Sequence, residues 1–559
     1  MRLVECVPNF SEGRDRAVID SITSAIEETE GAYLLDVDPG KDTNRTVVTF
    51  VAEFSAAVEA AFRAIETASR LIDMSKHQGA HARLGATDVC PFVPVRGVTM
   101  EDCVQLANEL GARVGNELRI PVYLYESAAK KEDRRNLATV RAGEYEGLSV
   151  KLKDPEWKPD YGPAVFNAKT GATIVGARKF LIAYNVNLNT KDRKIAHDIA
   201  LTIREAGRAK RDGAGKMVRD AQGNVVKVPG TLNALKAVGW YIEEYNRAQV
   251  SINLVDYDVT PPHVAFDEVK QQAELRGARV TGSELVGLIP LQAVLQAGRH
   301  YLDLQGKSTG VPEKEIIETA VQSLGLNDIT RFDPQQKIIE YRVAEKTPLA
   351  DLAIKDFLDV TSIDTPVPGG GSVSALIASL ASALASMVAN LTVGKKGYES
   401  VEGQMKEVAV KAQALKSAFL QGVDEDSKAF DRVMEAMRLP KKTEEDRQRR
   451  DEMVEAATKR AVDVPMGVIT ACLRAVEVVE AVARSGNVNS LSDAGVAALS
   501  LRAAAEGALF NVLINLPGIS DAEYVKETHR DAISTAGEVD ARCQEVVKKV
   551  REELNRPLA

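Results

Sequence analysis

Two histidines four positions apart, beside an arginine and an aspartate, form the densest polar cluster of the first half of the chain: His77-Gln78-Gly79-Ala80-His81-Ala82-Arg83-Leu84-Gly85-Ala86-Thr87-Asp88. Only six histidines occur in 559 residues. A His-x-x-x-His pair on a helix is a metal-ligand geometry, yet Gln78 stands where a zinc hydrolase carries its glutamate base, and Gly79 weakens a helix. General acid–base catalysis by a group titrating near neutrality is a second reading. Two hydrogen-bonded loop histidines with no chemistry are a third.

Two further segments of this half are site-like. Asp36-Val37-Asp38-Pro39-Gly40-Lys41-Asp42-Thr43-Asn44-Arg45-Thr46 reads as a strand-end loop rich in carboxylates and turn formers, either a ligand loop or a plain Asx-rich turn. Gly162-Pro163-Ala164-Val165-Phe166-Asn167-Ala168-Lys169-Thr170-Gly171 is bounded by glycines and carries one aromatic, a composition able to clasp a flat heterocycle by stacking and backbone hydrogen bonds.

The second half offers two candidates. Pro366-Val367-Pro368-Gly369-Gly370-Gly371-Ser372 opens a helix and lacks the lysine of a phosphate-binding loop; its free amides suit a carboxylate, or its glycines let helices approach closely. In Asp424-Glu425-Asp426-Ser427, a rotation of 100° per residue places Asp426 with Val423, Phe430, Val433, Met434 and Met437, and places Asp424 with Lys428, Asp431 and Glu435 on the solvated side. A carboxyl on an apolar face should hold its proton nearer neutrality and be able to donate it. A cap or a buried hydrogen-bonded aspartate is the plainer account.

The elements that must position these groups change character once. Up to about residue 345, β-rich runs (Leu3–Val7, Tyr33–Asp38, Thr46–Ala52, Val122–Tyr125, Lys179–Asn187, Gln249–Leu254, Ser283–Pro290, Ile338–Val343) alternate with amphipathic stretches (Arg16–Glu28, Phe54–Leu71, Met100–Leu118, Lys191–Glu205, Val264–Arg276, Glu313–Leu324). This pattern predicts an α/β half with helices packed on sheets. Beyond it, long Ala-, Glu-, Lys- and Arg-rich patterns predict an all-α helical bundle. The expected domains are 1–180, 181–343 and 350–559, with a linker at 344–349 opening on AEKTP. Residues 207–231 form a Gly- and Lys-rich insertion read as a small exposed hairpin or loop without catalytic role.

Composition bounds the function. Hydrophobic content of 45% and charged content of 27% are those of a globular protein. A net charge of −9 argues against nucleic acid as a partner. Five scattered cysteines without a CxxC pair read as reduced thiols in a cytoplasmic protein. No signal peptide is expected, and no membrane span: the uncharged stretch Ser372–Val393 is broken throughout by serines, which suits a tightly packed bundle or subunit-interface helix.

Several segments carry a resemblance. Leu3–Gly13 (LVECVPNFSEG), Ser69–Gly79, Asp88–Val98, Arg141–Glu146 (RAGEYE) and Thr173–Asn187 (TIVGARKFLIAYNVN) resemble glutamate formiminotransferase. Pro368–Val373 (PGGGSV), Asp424–Asp426, Glu435–Lys441 (EAMRLPK) and Phe510–Leu516 (FNVLINL) resemble the cyclodeaminase. Order and halves are similar to the formimidoyltransferase-cyclodeaminase family over nearly the whole chain. The 207–231 insertion is longer than in the animal forms, and Ala82 stands where those have proline; neither touches a candidate catalytic side chain.

The resemblance implies a bifunctional folate enzyme. It would transfer a formimino group from N-formimino-L-glutamate to tetrahydrofolate, then close the product to the methenyl form with loss of ammonia, as part of histidine degradation and one-carbon metabolism. The family's transferase histidine matches His81 and not His77, its folate loop matches Gly162–Gly171, and its cyclodeaminase acid matches Asp426. It further implies two related α+β subdomains meeting at a folate cleft and a bundle that makes a homo-oligomer. Tetrahydrofolate, polyglutamylated, is expected as substrate, with no metal. Asp38 and Arg45 are inferred substrate contacts, Arg45 or Arg83 for glutamate carboxylates; Lys395, Lys396, Lys441 and Lys442 are either ligands of a polyglutamate tail or ordinary helix-end lysines. Two rivals remain at this point: a metal-dependent amidine hydrolase using His77 and His81, and a folate-binding oligomer without turnover.

Overall fold

A computed structural model describes residues 2–41, 43–79, 81–343 and 349–555. Asp42, Ala80 and positions 344–348 of the expected linker lie outside the described residues. The chain divides into two compact units, Met1–Ala297 with Val321–Ala344, and Gly298–Ala320 with Glu345–Ala559.

The first unit holds two sheets. One comprises β1 (Leu3–Cys6), β2 (Asn9–Phe10), β3 (Ala32–Gly40), β4 (Arg45–Glu53), β5 (Thr87–Arg96), β6 (Val122–Glu126) and β7 (Thr173–Ala177), with β3 on β4 and then the order β1-β4-β2-β5-β7-β6. Pairing is antiparallel from β3 to β5 and parallel among β5, β7 and β6. Strand alternation decides the faces: Thr46, Val48, Phe50 and Ala52 are buried on one side of β4, while Arg45, Val47 and Thr49 alternate to the other. The buried side packs on α1 (Arg16–Glu27), α2 (Ala57–Leu71) and α3 (Met100–Glu117). Caps fix their starts: the Asp15 carboxylate accepts from the Ala17 amide at 2.9 Å, and Thr99 and Asp102 form a reciprocal capping box.

The second sheet is antiparallel, with β8 (Ile182–Leu188), β9 (Leu235–Ile242), β10 (Arg247–Leu254) and β11 (Val280–Val286) in the order β9-β10-β8-β11. One side meets the helices Arg193–Ile203 and Pro262–Glu274. At Gly239 a side chain would meet backbone of His197 at 2.0 Å, so that helix lies directly on the strand. The insertion is an exposed ribbon: Arg208–Ala209 pairs with Lys227–Val228, and beyond it two successive turns repeat one design. Asp212 and Asp220 each accept two amides of their own turn, and Arg211 and Arg219 each donate to a glycine carbonyl four residues on.

The second unit is helical, as expected: α4 (Gly370–Asn390), α5 (Glu402–Met437), α6 (Glu444–Ser485), α7 (Leu491–Asn515) and α8 (Ala522–Leu554). Alanine and serine along α4 allow close approach, with buried Ser379 donating to the Lys416 carbonyl at 2.9 Å. Residues 298–320 join this unit because Gly310 fits against α5 at Ala409 and its carbonyl accepts from Asn390 at 2.8 Å. Two helices, Gly370–Asn390 and Val488–Gly518, are long and apolar enough to cross a membrane by composition. Both contribute buried side chains to the bundle core, so they give no indication of a span.

Three expectations are corrected. Asp36–Thr46 is mostly a β-hairpin, because pairing runs on to Gly40 opposite Arg45. Ile338–Val343 is a short helix, Ile339–Arg342, keeping one bridge from Ile338 to Ile289. Asp424 is not solvated: it is buried, and its carboxylate accepts the amides of Leu349 at 3.0 Å and Ala350 at 3.2 Å. The segment preceding the bundle lies over that side of α5, which a single-helix projection has no means of anticipating.

Candidate active sites

In the first unit, the two histidines have opposite fates. The His77 Nε2 donates to the Asn44 carbonyl at 2.8 Å and its Nδ1 accepts from Arg83 at 3.3 Å, so both ring nitrogens are engaged. Asn44, at φ 48°, ties three segments together: it accepts the Gly13 amide at 3.0 Å and donates to the Gln78 carbonyl at 3.0 Å. Among the described residues His81 bonds only through Nδ1, 2.6 Å from the Ala82 carbonyl. A carbonyl can only accept, so Nδ1 carries the proton and Nε2 keeps its lone pair. Burial, then the Arg45 charge, holds the imidazolium below the ordinary histidine range. His81 is therefore a neutral base at pH 7.

Around it the charges are arranged in a chain. Asp88, 1% exposed, accepts the Leu84 amide at 2.9 Å and pairs with Arg141. Arg45 donates to Asn9, while its buried Nε has no partner among the described residues. Asp38 is exposed on β3 opposite Val47, and its charge is felt by Arg45. Thus His81, Arg45 and Asp38 gather with Asp88, Arg141 and Asn9 at one end of the sheet. Arg83 is not available for a substrate carboxylate: it is buried, and its guanidinium is taken by Glu144 (3.2 Å) and Glu146 (2.7 and 2.8 Å).

The segment Gly162–Gly171 is a structured loop. Gly162, at φ 76°, packs on Ile120 and Gly115 where no side chain would fit. Asn167 accepts the amides of Lys169 at 3.0 Å and Thr170 at 3.2 Å, and Gly171 bridges to Gly85. Pro163 is half-buried, whereas Ala164, Val165, Phe166 and Ala168 are exposed. The Phe166 ring lies 5.5 Å from that of Tyr145, beside a polar cleft lined by Lys76, His77, Arg83 and Glu144. None of the loop's hydrogen bonds among the described residues reaches His81.

In the second unit, Asp426 sits at the N-terminus of α4. The Ser372 hydroxyl lies 3.0 Å from Asp426 Oδ2, 2.9 Å from the Val423 carbonyl and 3.2 Å from Ser427 Oγ. A hydroxyl has one proton; given to Val423, it leaves Ser372 able to accept from a protonated Asp426. Burial raises the Asp426 carboxyl above the usual range, partly opposed by the hydroxyl and amide of Ser372. Gly370 faces Asn511 of α7, whose Nδ2 donates to the Gly507 carbonyl at 2.8 Å. So the group at this helix end is the protein's own carboxyl, and the glycines also permit close packing. Lys395 donates to Asn487 at 2.6 Å, while Lys396, Lys441 and Lys442 are exposed.

Sequence reasoning missed Asn9, Arg141 and Ser372. Each lies inside a segment that carried the resemblance, the one signal available for them. Among the described residues no group of three or more His, Cys, Asp or Glu side chains is placed to hold a metal ion.

Comparison with known proteins follows the same division. Residues 3–178 match the model of the formiminotransferase domain, N-terminal subdomain, residues 183–344 that of the formiminotransferase domain, and residues 353–534 that of formiminotransferase-cyclodeaminase. The chain is 45% identical over 532 residues to formimidoyltransferase-cyclodeaminase of Mus musculus, covering 94% of this chain and 95% of that one. It is 45% identical over 323 residues to glutamate formimidoyltransferase of Thermoplasma acidophilum, 57% of this chain and 99% of the relative. It is also 38% identical over 198 residues to methenyltetrahydrofolate cyclohydrolase of Methylorubrum extorquens, 35% of this chain and 95% of the relative. The chain belongs to the formimidoyltransferase-cyclodeaminase family.

Proposed function

We propose that the chain is a transferase and an ammonia-lyase in one: it moves the formimino group of N-formimino-L-glutamate onto tetrahydrofolate, and converts the resulting 5-formiminotetrahydrofolate to 5,10-methenyltetrahydrofolate and ammonia. The observation that carries the first step is the His81 ring, neutral and with Nε2 unbonded among the described residues. N5 of the folate adds to the formimino carbon while His81 takes the N5 proton, then returns it to the glutamate nitrogen as that bond breaks. Arg45, with an unpartnered buried Nε, and Asp38 are the contacts for the glutamate donor, and Gly162–Gly171 holds the folate. In the second step N10 adds to the same carbon and loses its proton, and Asp426 protonates the nitrogen that leaves as ammonia.

We further infer that the work divides along 1–180 and 181–343 for transfer and 350–559 for cyclisation, in the cytoplasm, with polyglutamylated folate, in histidine degradation and one-carbon metabolism. Five buried cysteines, all free thiols, suit a reducing compartment. Exposed Leu380 and Met387 of α4, Leu391 just past its end, and Phe510 and Ile514 of α7 supply an apolar face for a homo-oligomer. No metal is called for, since both nitrogens of His77 are already engaged.

A coupled assay recording methenyltetrahydrofolate absorbance and ammonia together tests the reading. Wild type should make both products. His81→Ala should fail unless supplied with 5-formiminotetrahydrofolate, and Asp426→Asn should stall at that intermediate. Folded wild type that binds folate and yields neither product would replace the enzyme reading with that of a binding oligomer.

A further inference from the structure

The face of the first sheet turned away from α1–α3 carries polar side chains that neither proposed reaction uses, and strand register sets their order. Glu5 of β1 stands opposite Val51 of β4 and Val93 of β5. On the other flank of β5, the Arg178 amide donates to the Phe92 carbonyl at 3.1 Å. One row along, Tyr125 of β6 pairs with Gly176 of β7, which pairs with Pro91. Val4, Cys6, Phe92, Leu124, Val175 and Ala177 enter the core under the helices, so Glu5, Val93, Tyr125 and Gly176 alternate to the other face. A Cβ at Gly176 would meet the Tyr125 ring at 2.4 Å; the glycine is what allows that ring to lie across the sheet toward β5.

Glu5 is 4% exposed and Tyr125 3%. Neither the Glu5 carboxyl nor the Tyr125 hydroxyl has a hydrogen-bond partner among the described residues. Arg178 is the charge both of them feel, and burial holds the Glu5 carboxyl up at about 7 against its pull. Their oxygens are not among the fully enclosed side-chain atoms that lack a partner, so they stand where solvent or a ligand can supply the missing bonds. An acceptor, a donor and a guanidinium that already gives one bond to the Lys179 carbonyl at 3.0 Å, none of them bonded to another, are matched to a ligand that presents paired N–H groups beside a carbonyl.

We propose that Glu5, Tyr125 and Arg178 hold the 2-amino-4-oxo ring of the folate substrate. The Glu5 carboxylate accepts from ring N3–H and the exocyclic amine, and Tyr125 and Arg178 donate to the 4-oxo oxygen. The formimino donor also has paired nitrogens, but its carbon must reach His81, whereas Glu5 lies about 13 Å along the strands from the Asn9 row. The inference rests on the folate reading above.

Calorimetric titration of the full chain under anaerobic conditions separates the two ends of the ligand. The probes are 6-methyltetrahydropterin, the ring without the tail, and 4-aminobenzoylglutamate, the tail without the ring. Glu5→Gln is expected to weaken ring binding roughly tenfold or more and to leave tail binding unchanged. Tyr125→Phe, which removes a single oxygen, should weaken ring binding in the same direction and serves should Glu5→Gln fail to fold. Ring affinity equal to wild type in both folded variants, or a KM increase confined to the formimino donor, overturns the proposal while leaving the folate reading intact. Wild type that binds neither fragment nor tetrahydrofolate overturns both.

Discussion

The carboxyl of Asp426 occupies the space a side chain at Gly371 would need: a Cβ there would meet its oxygens at 2.1 and 2.6 Å. Glycine at the head of α4 is thus a condition for Asp426 lying at the helix end. A carboxyl is the far end of a flexible side chain, so Gly371→Ala displaces it without breaking the bundle. The expected outcome is a loss of methenyltetrahydrofolate formation from 5-formiminotetrahydrofolate of at least about tenfold, a fraction of what a positioned acid contributes, with glutamate release from the first reaction unchanged. Equal losses in both reactions would show that the substitution acts through folding.

Asp426 also ties activity to stability through pH. Its carboxyl is raised in the folded chain, mainly by burial. The protonated donor is present below that raised value, so cyclisation should fall as pH climbs through it, on the alkaline side of an ordinary aspartate. The stability sign is the same: a carboxyl harder to ionise when folded favours folding below its unfolded value and loses that benefit as pH rises through the folded one. Asp426→Asn is therefore expected to melt at a higher temperature than wild type at pH 8, and at no higher temperature at pH 3. A lower melting point at pH 8 would mean that the ionised carboxylate is what the site stabilises.

Asp424 behaves differently although it lies only two residues away. Its carboxylate satisfies the amides of Leu349 and Ala350 from a buried position. Asp424→Ala leaves those amides unmet and should cost about 1–3 kcal/mol in urea unfolding of the helical unit. Folded variant should retain both reactions; a selective loss of cyclisation would place Asp424 in the chemistry instead.

These two aspartates mark what was legible in the sequence. Helical phase picked Asp426 as a carboxyl in apolar surroundings, because that depends on α5 alone. It misjudged Asp424, whose partners arrive from a segment 74 and 75 residues earlier in the chain. Among the strands, β4 and β10 were evident from alternation, whereas β5 was hidden by Pro91 and Pro94. Prolines are rare in a strand paired on both sides; here Val4 faces Pro94 at a register shift, and the Pro91 carbonyl still accepts from Val7. Likewise, spacing alone left His77 and His81 equivalent. A hydrogen bond to the Asn44 carbonyl, 33 residues away, and one from Arg83 distinguish the engaged ring from that of His81.

The pH profile of formimino transfer tests the role given to Arg45. Burial is the larger cause of the lowered His81 value and the Arg45 charge the next. Because the base form is required, kcat/KM should rise with pH through a value below 6.5 and then level. Arg45→Gln removes the positive neighbour and keeps the burial, so the acid limb should move part of the way back toward the ordinary histidine range. At pH 5.5 the variant should then lose proportionately more activity than at pH 8. His81→Ala should abolish the limb and lower the rate by roughly 10²–10⁴-fold. An unchanged limb in Arg45→Gln, together with a raised KM for the formimino donor, would show that Arg45 holds substrate and leaves the His81 proton alone.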